Sequence, residues 1–146
     1  MSKTIWFDMD GTIADFYSIE NWLEKILAED TSPYEECEPL FDKMEMQFLI
    51  NHLRKNGYNI GVISYAPKNC TQLMLMMTEK AKRDWLVHNF PYADEIHITY
   101  HGIPKSKWMH TVDDVLVDDE IGNIVDWMEN GGDAIQSYRM LYNFIA

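Results

Sequence analysis

The chain opens with Ile5-Trp6-Phe7-Asp8-Met9-Asp10-Gly11-Thr12, in which three apolar residues lead into two acids on either side of a methionine. The apolar run predicts a buried strand, and the acids lie where that strand ends. Alternate residues of an extended chain share a face, so Asp8 and Asp10 can converge on one point. Gly11 lets the backbone turn sharply after them. The stretch therefore predicts a reactive site at the carboxyl edge of a sheet.

A second acidic pair follows another apolar run late in the chain. Val115-Leu116-Val117 leads directly into Asp118-Asp119. Open α/β sheets bind ligands at the carboxyl ends of their strands, so we expect both acidic pairs in one crevice. Four carboxylates need a cation, and oxygen ligands suit Mg²⁺ best. The sequence therefore predicts a Mg²⁺ site.

Short apolar runs predict five strands, with amphipathic helical patterns between them. The predicted strands are Thr4–Phe7, Ile60–Tyr65, Glu95–Tyr100, Val115–Val117 and Ala134–Ser137. Strands that alternate with helices predict an α/β fold, in which a mainly parallel sheet is covered by helices on both faces. With 146 residues, 47% of them hydrophobic, the chain can form one domain around one core.

Residues 15–43 form a predicted insertion between the first strand and the helix that leads to the second. An amphipathic helix is predicted over Ile19–Leu27, and Ser32-Pro33-Tyr34-Glu35 is typical of a capping box that begins a second, short helix. Because the insertion starts five residues after Asp10, we expect a small cap over the site. Three aromatic residues of this cap either stack on a substrate base or form its core. They are Phe16, Trp22 and Tyr34.

Composition limits the partners of the chain. The formal net charge is −12, but residues 51–111 hold eight bases against four acids. Overall acidity disfavours non-specific binding of DNA or RNA, whereas the basic middle segment suits a small anion. There is no signal pattern and no apolar stretch near the roughly 18 residues of a membrane span. Cys37 and Cys70 are expected to be reduced thiols, so we predict a cytoplasmic protein that does not bind membranes.

The first acidic pair can serve the hydrolysis of a phosphate monoester. One carboxylate attacks phosphorus to form an acyl phosphate, while the second protonates the departing alcohol and later activates water. Asp8 is the better nucleophile because it ends the rigid strand, and Asp10, on the turn, is better placed to serve the leaving group. Asp118 and Asp119 then supply metal ligation together with Asp8.

Such a site also needs donors for the phosphoryl oxygens and a cation that offsets the developing charge. Ser64 ends the second predicted strand, so its hydroxyl and the backbone N–H groups from Tyr65 onward can hold the phosphate. The lysines of Pro104-Lys105-Ser106-Lys107 precede the second acidic pair, and either can contact the phosphate. We favour Lys107 over Lys105 as the catalytic cation.

The motifs resemble those of the haloacid dehalogenase (HAD) superfamily. Its aspartate-based phosphatases have an Asp-x-Asp-Gly-Thr motif, a Ser or Thr that ends the second strand, a lysine and a late acidic pair, in the order found here. The resemblance implies a single HAD-like, Rossmann-like domain over residues 1–146. It also implies that Asp8 is nucleophile and metal ligand, and that Asp10 is acid/base and a metal ligand through its backbone carbonyl. The other implied roles are phosphate binding by Ser64, charge neutralisation by Lys107, direct metal ligation by Asp118 and support of the metal site by Asp119.

The start of the chain resembles the 5′(3′)-deoxyribonucleotidases more narrowly. Their first motif continues with Ala-Asp-Phe into the cap, as Ala14-Asp15-Phe16 does here, and Val115–Asp119 resembles their fourth motif. Lys80–Trp85 lies where they have a helix that contains Lys and Trp. Here the insertion is shorter, and Tyr65-Ala66-Pro67 replaces a Ser-Pro step. The resemblance implies a Mg²⁺-dependent hydrolase whose small phosphorylated substrate is a nucleoside monophosphate.

Other functions remain open at this point. A polynucleotide 3′-phosphatase is the nearest alternative enzyme, although the acidity of the chain disfavours it, and another small-metabolite phosphatase is a further alternative. A non-enzymatic phosphoacceptor module also combines acids, a hydroxyl residue and a lysine, but on different strands. A calcium loop that begins at Asp8 fails, because its sixth position would be Ile13 instead of Gly and its twelfth Ile19 instead of Glu.

Two further expectations concern the scaffold. Asp113 and Asp114 precede the fourth predicted strand, so we expect them at the opposite edge of the sheet, in contact with solvent. The spacing of four apolar residues predicts a helix that is buried along one face. These residues are Ile121, Ile124, Val125 and Met128.

Overall fold

Five parallel strands form one sheet in the computed structural model of the protein, which describes residues 2–145. The strands are β1 (Lys3–Phe7), β2 (Tyr58–Tyr65), β3 (Glu95–Thr99), β4 (Val115–Asp118) and β5 (Asp133–Gln136). Their order across the sheet is β3-β2-β1-β4-β5, and every neighbouring pair is parallel. The five predicted strands and the α/β class are confirmed.

Helices connect the strands and cover the sheet. They are α1 (Trp22–Leu27), α2 (Ser32–Glu36), α3 (Lys43–Lys55), α4 (Gln72–Asn89), α5 (Ile121–Glu129) and α6 (Met140–Ile145). Side-chain caps fix where the two longest begin, since Asp42 accepts from Glu45 N–H at 3.0 Å and Thr71 accepts from Met74 N–H at 3.1 Å. None of the helices in this described part of the chain is long and apolar enough to span a bilayer.

The central strand is buried on both faces, as its unbroken apolar sequence requires. On one face, Phe7 packs into a cluster with Leu49 of α3 and Phe90. On the other face, Trp6 packs with Trp127 of α5. A Cβ atom at Gly61 would lie 2.3 Å from the Trp6 ring, so β2 accommodates this indole only because it has glycine there.

Both scaffold expectations need correction. The helix predicted after β4 forms as α5, but Ile124 and Trp127 are its buried residues. Ile121, Val125 and Met128 are 57%, 46% and 52% exposed, because the large indole of Trp127 occupies the side of the helix that faces the sheet. Asp114 does lie at the amino edge of the sheet, yet it is fully buried instead of solvated.

The segment between β1 and α3 packs over the carboxyl edge of the sheet. The two ends of the segment lie side by side, since Asp15 N–H near its start donates to the Glu38 carbonyl near its end at 2.8 Å. The Trp85 indole of α4 donates to the Cys37 carbonyl at 2.8 Å and ties the segment to the core. The expected capping box is absent, because Thr31 precedes α2 and its hydroxyl donates to Glu35 at 2.7 Å.

Candidate active site

The two acidic pairs meet at a cavity of about 370 Å³ at the carboxyl edge of the sheet. Its floor consists of strand-end residues, which are Asp8, Asp10, Ser64, Asp118 and Asp119. One wall comes from the insertion and is largely aromatic. Another wall comes from the loops that follow β2 and β3 and from the start of α5. The carboxyl edge thus combines a polar floor with walls of different chemistry.

Asp8 is the most tightly held carboxylate on this floor. Its Oδ1 accepts from the ammonium of Lys105 at 2.7 Å, and its Oδ2 accepts from the hydroxyl of Thr12 at 3.0 Å. Burial raises its pKa, but the charge and hydrogen bond of Lys105, together with a hydrogen bond from Asp119 and the charge of Lys82, hold the net pKa of Asp8 below its ordinary value. Asp8 is therefore an oriented, ionised carboxylate.

Lys105, and not Lys107, is the lysine that contacts the acids. Its buried ammonium also donates to Asp118 at 2.8 Å, and although burial opposes its charge, these two carboxylates raise the pKa of Lys105. Lys107 is exposed, and its ammonium lies 5.5 Å from the centre of the Trp108 ring. The structure thus places Lys105 beside the acids instead of the favoured Lys107, because Lys105–Trp108 forms a 3₁₀ turn in which residues two apart point in different directions.

A second buried lysine, Lys82 of α4, was not among the predicted site residues. Its ammonium donates to Asp10 at 3.0 Å, to the Ser64 hydroxyl at 2.7 Å and to the Tyr65 carbonyl at 2.8 Å. The signal for Lys82 is its spacing, because it lies three residues before the buried Trp85 on the inner face of the helix. A lysine at such a position needs buried partners.

Asp10 differs from Asp8 in protonation. Burial raises its pKa, the Lys82 ammonium opposes this shift, and the negative charge of Asp8 adds to it, so that the net direction is upward. A raised pKa favours the proton-bearing form that a general acid requires. The two acids of one motif therefore have environments that separate their roles.

The second strand end supplies fewer phosphate donors than expected. Ser64 is buried at the cavity floor, and its hydroxyl accepts from Lys82, which leaves its own hydrogen available. The backbone N–H of Ala66 already donates to the Thr99 carbonyl at 2.7 Å. Tyr65 lines the cavity, and its hydroxyl donates to the Ile103 carbonyl.

Three carboxylates form a candidate metal centre, since Asp8, Asp118 and Asp119 each offer an oxygen within 4.8 Å of the others. Burial, followed by the nearby charge of Asp8, raises the pKa of Asp118 to about 6. Burial and the hydrogen bond with Asp8 raise the pKa of Asp119 to about 8. Such crowding is relieved by a divalent cation, and an all-oxygen donor set fits Mg²⁺. The carboxylate of Asp10 lies outside this group, and metal ligation by its backbone carbonyl stays a prediction.

The two acids of the late pair are held differently. Asp118 is fully buried and accepts from Glu120 N–H at 2.9 Å and from Asn123 at 3.1 Å, in addition to Lys105. Asp119 is exposed at the cavity, where it accepts from the Thr12 hydroxyl at 3.3 Å and shares a hydrogen bond with Asp8. The oxygens of Asp119 are thus more accessible to an ion than those of Asp118.

The aromatic wall combines cap core with accessible rings. Phe16 and Tyr34 stack at 4.7 Å and are 2% and 4% exposed, so they form the core of the cap, although both touch the cavity. Trp22 is half-buried, and its ring lies 5.1 Å from that of Tyr17. Tyr17 lines the cavity, is 53% exposed and was not among the predicted residues. The rings most open to a substrate are those of Tyr17 and Trp22.

No protein-family model and no curated protein sequence matches the chain. Among solved structures, a HAD family enzyme from Bacteroides thetaiotaomicron has a TM-score of 0.58 at 12% identity, over 97% of this chain and 98% of that one. The same enzyme in complex with magnesium and inorganic phosphate has a TM-score of 0.54 at 13% identity, with 93% and 94% covered. D,D-heptose 1,7-bisphosphate phosphatase from Burkholderia thailandensis has a TM-score of 0.56 at 15% identity, with 89% and 74% covered. The chain therefore has the fold of the HAD enzymes.

Proposed function

We propose that the protein is a Mg²⁺-dependent phosphatase of small phosphomonoesters that works through an aspartyl phosphate on Asp8. The observation that carries the proposal is the environment of this one carboxylate, which is ionised, held by Lys105 and Thr12, and open to the cavity. Two proteins of similar structure, a phosphatase and a HAD enzyme in complex with magnesium and inorganic phosphate, support the same chemistry.

Asp8 and Asp119 would hold the ion directly, and Asp118 would complete the group. This assignment reverses the order implied by the family resemblance. Asp118 already accepts hydrogen bonds on both oxygens, including one from Lys105, whereas Asp119 is accessible. When bound, Mg²⁺ neutralises the charge of the phosphoryl oxygens and lets an anionic ester approach Asp8.

In the first step, a carboxylate oxygen of Asp8 attacks phosphorus while the bond between phosphorus and the ester oxygen breaks. Asp10 transfers its proton to that ester oxygen, so a neutral alcohol leaves. Lys105 offsets negative charge beside the nucleophile, and the Ser64 hydroxyl can donate to a phosphoryl oxygen. Lys82 holds Asp10 and Ser64 in place through its two hydrogen bonds.

The second step regenerates the enzyme. The Asp10 carboxylate, now without its proton, accepts a proton from a water molecule that attacks phosphorus. The bond between phosphorus and Asp8 breaks, which releases inorganic phosphate and the Asp8 carboxylate. Asp10 ends the cycle protonated, as it began.

Within this class, we propose nucleoside monophosphates as the substrates. A cavity of about 370 Å³ suits a small molecule, and the rings of Tyr17 and Trp22 offer faces for a base. Base stacking on aromatic side chains contributes roughly 1–3 kcal/mol per base. The acidity of the chain disfavours a polynucleotide in the same site.

A panel of phosphate esters assayed with and without Mg²⁺ tests the proposal. We expect phosphate release that stops when a chelator removes the ion, and a phosphorylated Asp8 in protein quenched with acid during turnover. Absence of hydrolysis across the panel would overturn the proposal. A phosphorylated Asp8 that persists for minutes to hours would instead support the phosphoacceptor module.

A further inference from the structure

Two basic side chains lie on the cavity wall that the loops after β2 and β3 form. Lys68 belongs to the loop after β2, and His101 belongs to the turn after β3, so pairing of these neighbouring strands brings the two loops together. Both residues line the same cavity as Asp8. The basic side of the cavity is therefore built at the carboxyl edge, next to the reactive acids.

In the described part of the chain, the charge of Lys68 is not paired, although Glu120 on the same wall acts on the neighbouring His101. Among residues 2–145, Lys82 and Lys105 are both paired with site carboxylates, whereas no carboxylate lies within ion-pair distance of Lys68. Partial burial, followed by the charge of Lys68, lowers the pKa of His101, so the ring is neutral near pH 7 and can donate one N–H. Glu120 lies on the same wall but does not pair with Lys68.

Tyr65 is adjacent both to this basic side and to the reacting centre. Its ring centre lies 5.1 Å from the ammonium of Lys105 and 5.1 Å from the ring centre of His101. The His101 ring is thus at most about 10 Å from the cation beside Asp8. A single small molecule can span that distance.

We propose that Lys68 and His101 form a second anion subsite, so that, among the nucleotides and other phosphomonoesters that the site accepts, those with a second anionic group bind more tightly. This inference rests on the proposed function of Asp8. The second group, a phosphate or a carboxylate, would accept from the Lys68 ammonium and from one His101 N–H while the first phosphate reacts. Substrates without it would bind through the phosphoryl site and the aromatic wall alone.

Matched substrate pairs test the subsite. Adenosine 3′,5′-bisphosphate is compared with adenosine 5′-monophosphate to test a phosphate as the second anion. The comparison of 3-phosphoglycerate with glycerol 3-phosphate tests a carboxylate. We expect KM to be about fivefold to tenfold lower for the member with the extra anion, with a smaller change in kcat. Lys68→Gln should remove the preference, and Lys68→Arg should keep it.

The control variant is Lys55→Gln, which removes the same charge from an exposed residue at the end of α3, by the amino edge of the sheet. If Lys68→Gln and wild type show the same preference for the substrate with the extra anion, the subsite is overturned. Hydrolysis of the esters would in that case still support the proposed function. If no ester is hydrolysed, the proposed function is overturned, but the subsite is not. Calorimetric binding of the bisphosphate to Asp8→Asn protein, with and without Lys68→Gln, then decides on the subsite.

Discussion

The two edges of the sheet both bury an aspartate, but they satisfy it in opposite ways. At the amino edge, Asp114 accepts from Thr4 N–H at 2.9 Å, from the Trp6 indole at 3.1 Å and from His110 N–H at 2.9 Å. These donors are neutral and belong to the scaffold. At the carboxyl edge, Asp8 lies among other carboxylates and takes its main hydrogen bond from a buried ammonium.

The difference shows that burial of an acid does not by itself mark a functional site. Asp114 joins the start of β1 to the loop before β4 through its hydrogen bonds. This structural role accounts for its burial without a ligand. The carboxyl edge instead concentrates like charges beside open space, an arrangement that is unfavourable for folding and useful for chemistry. Substitutions at the two edges should therefore separate stability from activity.

The largest effect is expected for Asp8→Asn. The amide is a poor nucleophile and a weak metal ligand, so kcat should fall on the order of 10⁴-fold or more. Thermal unfolding followed by circular dichroism should show that the fold is retained. Asp113→Asn, at an exposed position of the amino edge, is the matched control. Near-normal turnover by the Asp8 variant would contradict the mechanism.

Asp10→Asn should lower kcat by roughly 10²–10⁴-fold, the usual contribution of general acid/base catalysis. The loss should be smaller with p-nitrophenyl phosphate, because its leaving group departs without a proton. Steady-state rates on this ester and on an alkyl phosphate measure the contrast. Equal losses on both esters would remove Asp10 from the role of acid.

Asp114→Ala should affect stability instead of chemistry. It leaves the buried N–H donors of Thr4 and Trp6 and the part-buried His110 N–H without their acceptor, and the free energy of unfolding should fall by about 3 kcal/mol or more. Urea unfolding measures this change, and Asp113→Ala should stay within about 0.5 kcal/mol of wild type. A large loss of kcat per folded molecule would show that the two edges are not independent.

The late acidic pair gives a smaller and more selective effect. Asp119→Asn should raise the Mg²⁺ concentration for half-maximal activity by at least about tenfold, because it removes an accessible ligand. Asp118→Asn should shift that concentration less and lower kcat more, since Asp118 holds Lys105. Magnesium titrations of both variants decide between them, and the opposite ranking would restore the order implied by the family resemblance.

The smallest effect belongs to Asp94, an exposed acid of the amino edge that accepts from Arg54 at 2.9 Å and from Ile60 N–H at 2.9 Å. Burial opposes ionisation, but these hydrogen bonds hold the pKa of Asp94 below its ordinary value. Asp94→Asn should therefore lower the free energy of unfolding by less than about 1 kcal/mol at pH 7. The pKa of Asp94 is lower in the folded protein than the value of about 3.9 for the unfolded chain. The difference in unfolding free energy between the variant and wild type should therefore be fully present above about pH 3.9 and disappear as the pH falls through the lower, folded pKa. A difference that persists in acid would assign the effect to the Ile60 hydrogen bond alone.

The sequence predicted what depends on local pattern. All five strands follow from short apolar runs, and the convergence of Asp8 with Asp118 follows from parallel strands that share an edge. The buried face of α5 was missed because Trp127 outweighs the regular spacing of three smaller residues. Pattern therefore locates elements better than it orients them.

The parts of the candidate site that were missed depend on tertiary partners. Nothing local distinguishes Lys105 from Lys107, and only the turn geometry aims one of them at Asp8. Lys82 looks like a surface residue until α4 packs against the strand ends. Asp114 looks solvated until distant donors meet it across the sheet.

The two strands of backbone that join the cap to the sheet are hydrogen-bonded to each other, and this pairing affects which changes of the cap sequence the fold can accept. Ala14 pairs with Pro39, and Leu40 N–H donates to the Ile13 carbonyl at 2.9 Å, so the ends of the intervening segment are already closed. A replacement of different length has to bridge the same gap, for which loop-closure entropy grows slowly with length, and it also has to cover the side of α4 that carries Met74 and Ala81. Within these two constraints, we expect changes in residues 16–37 to alter the aromatic wall while the strand ends and their acids keep their register.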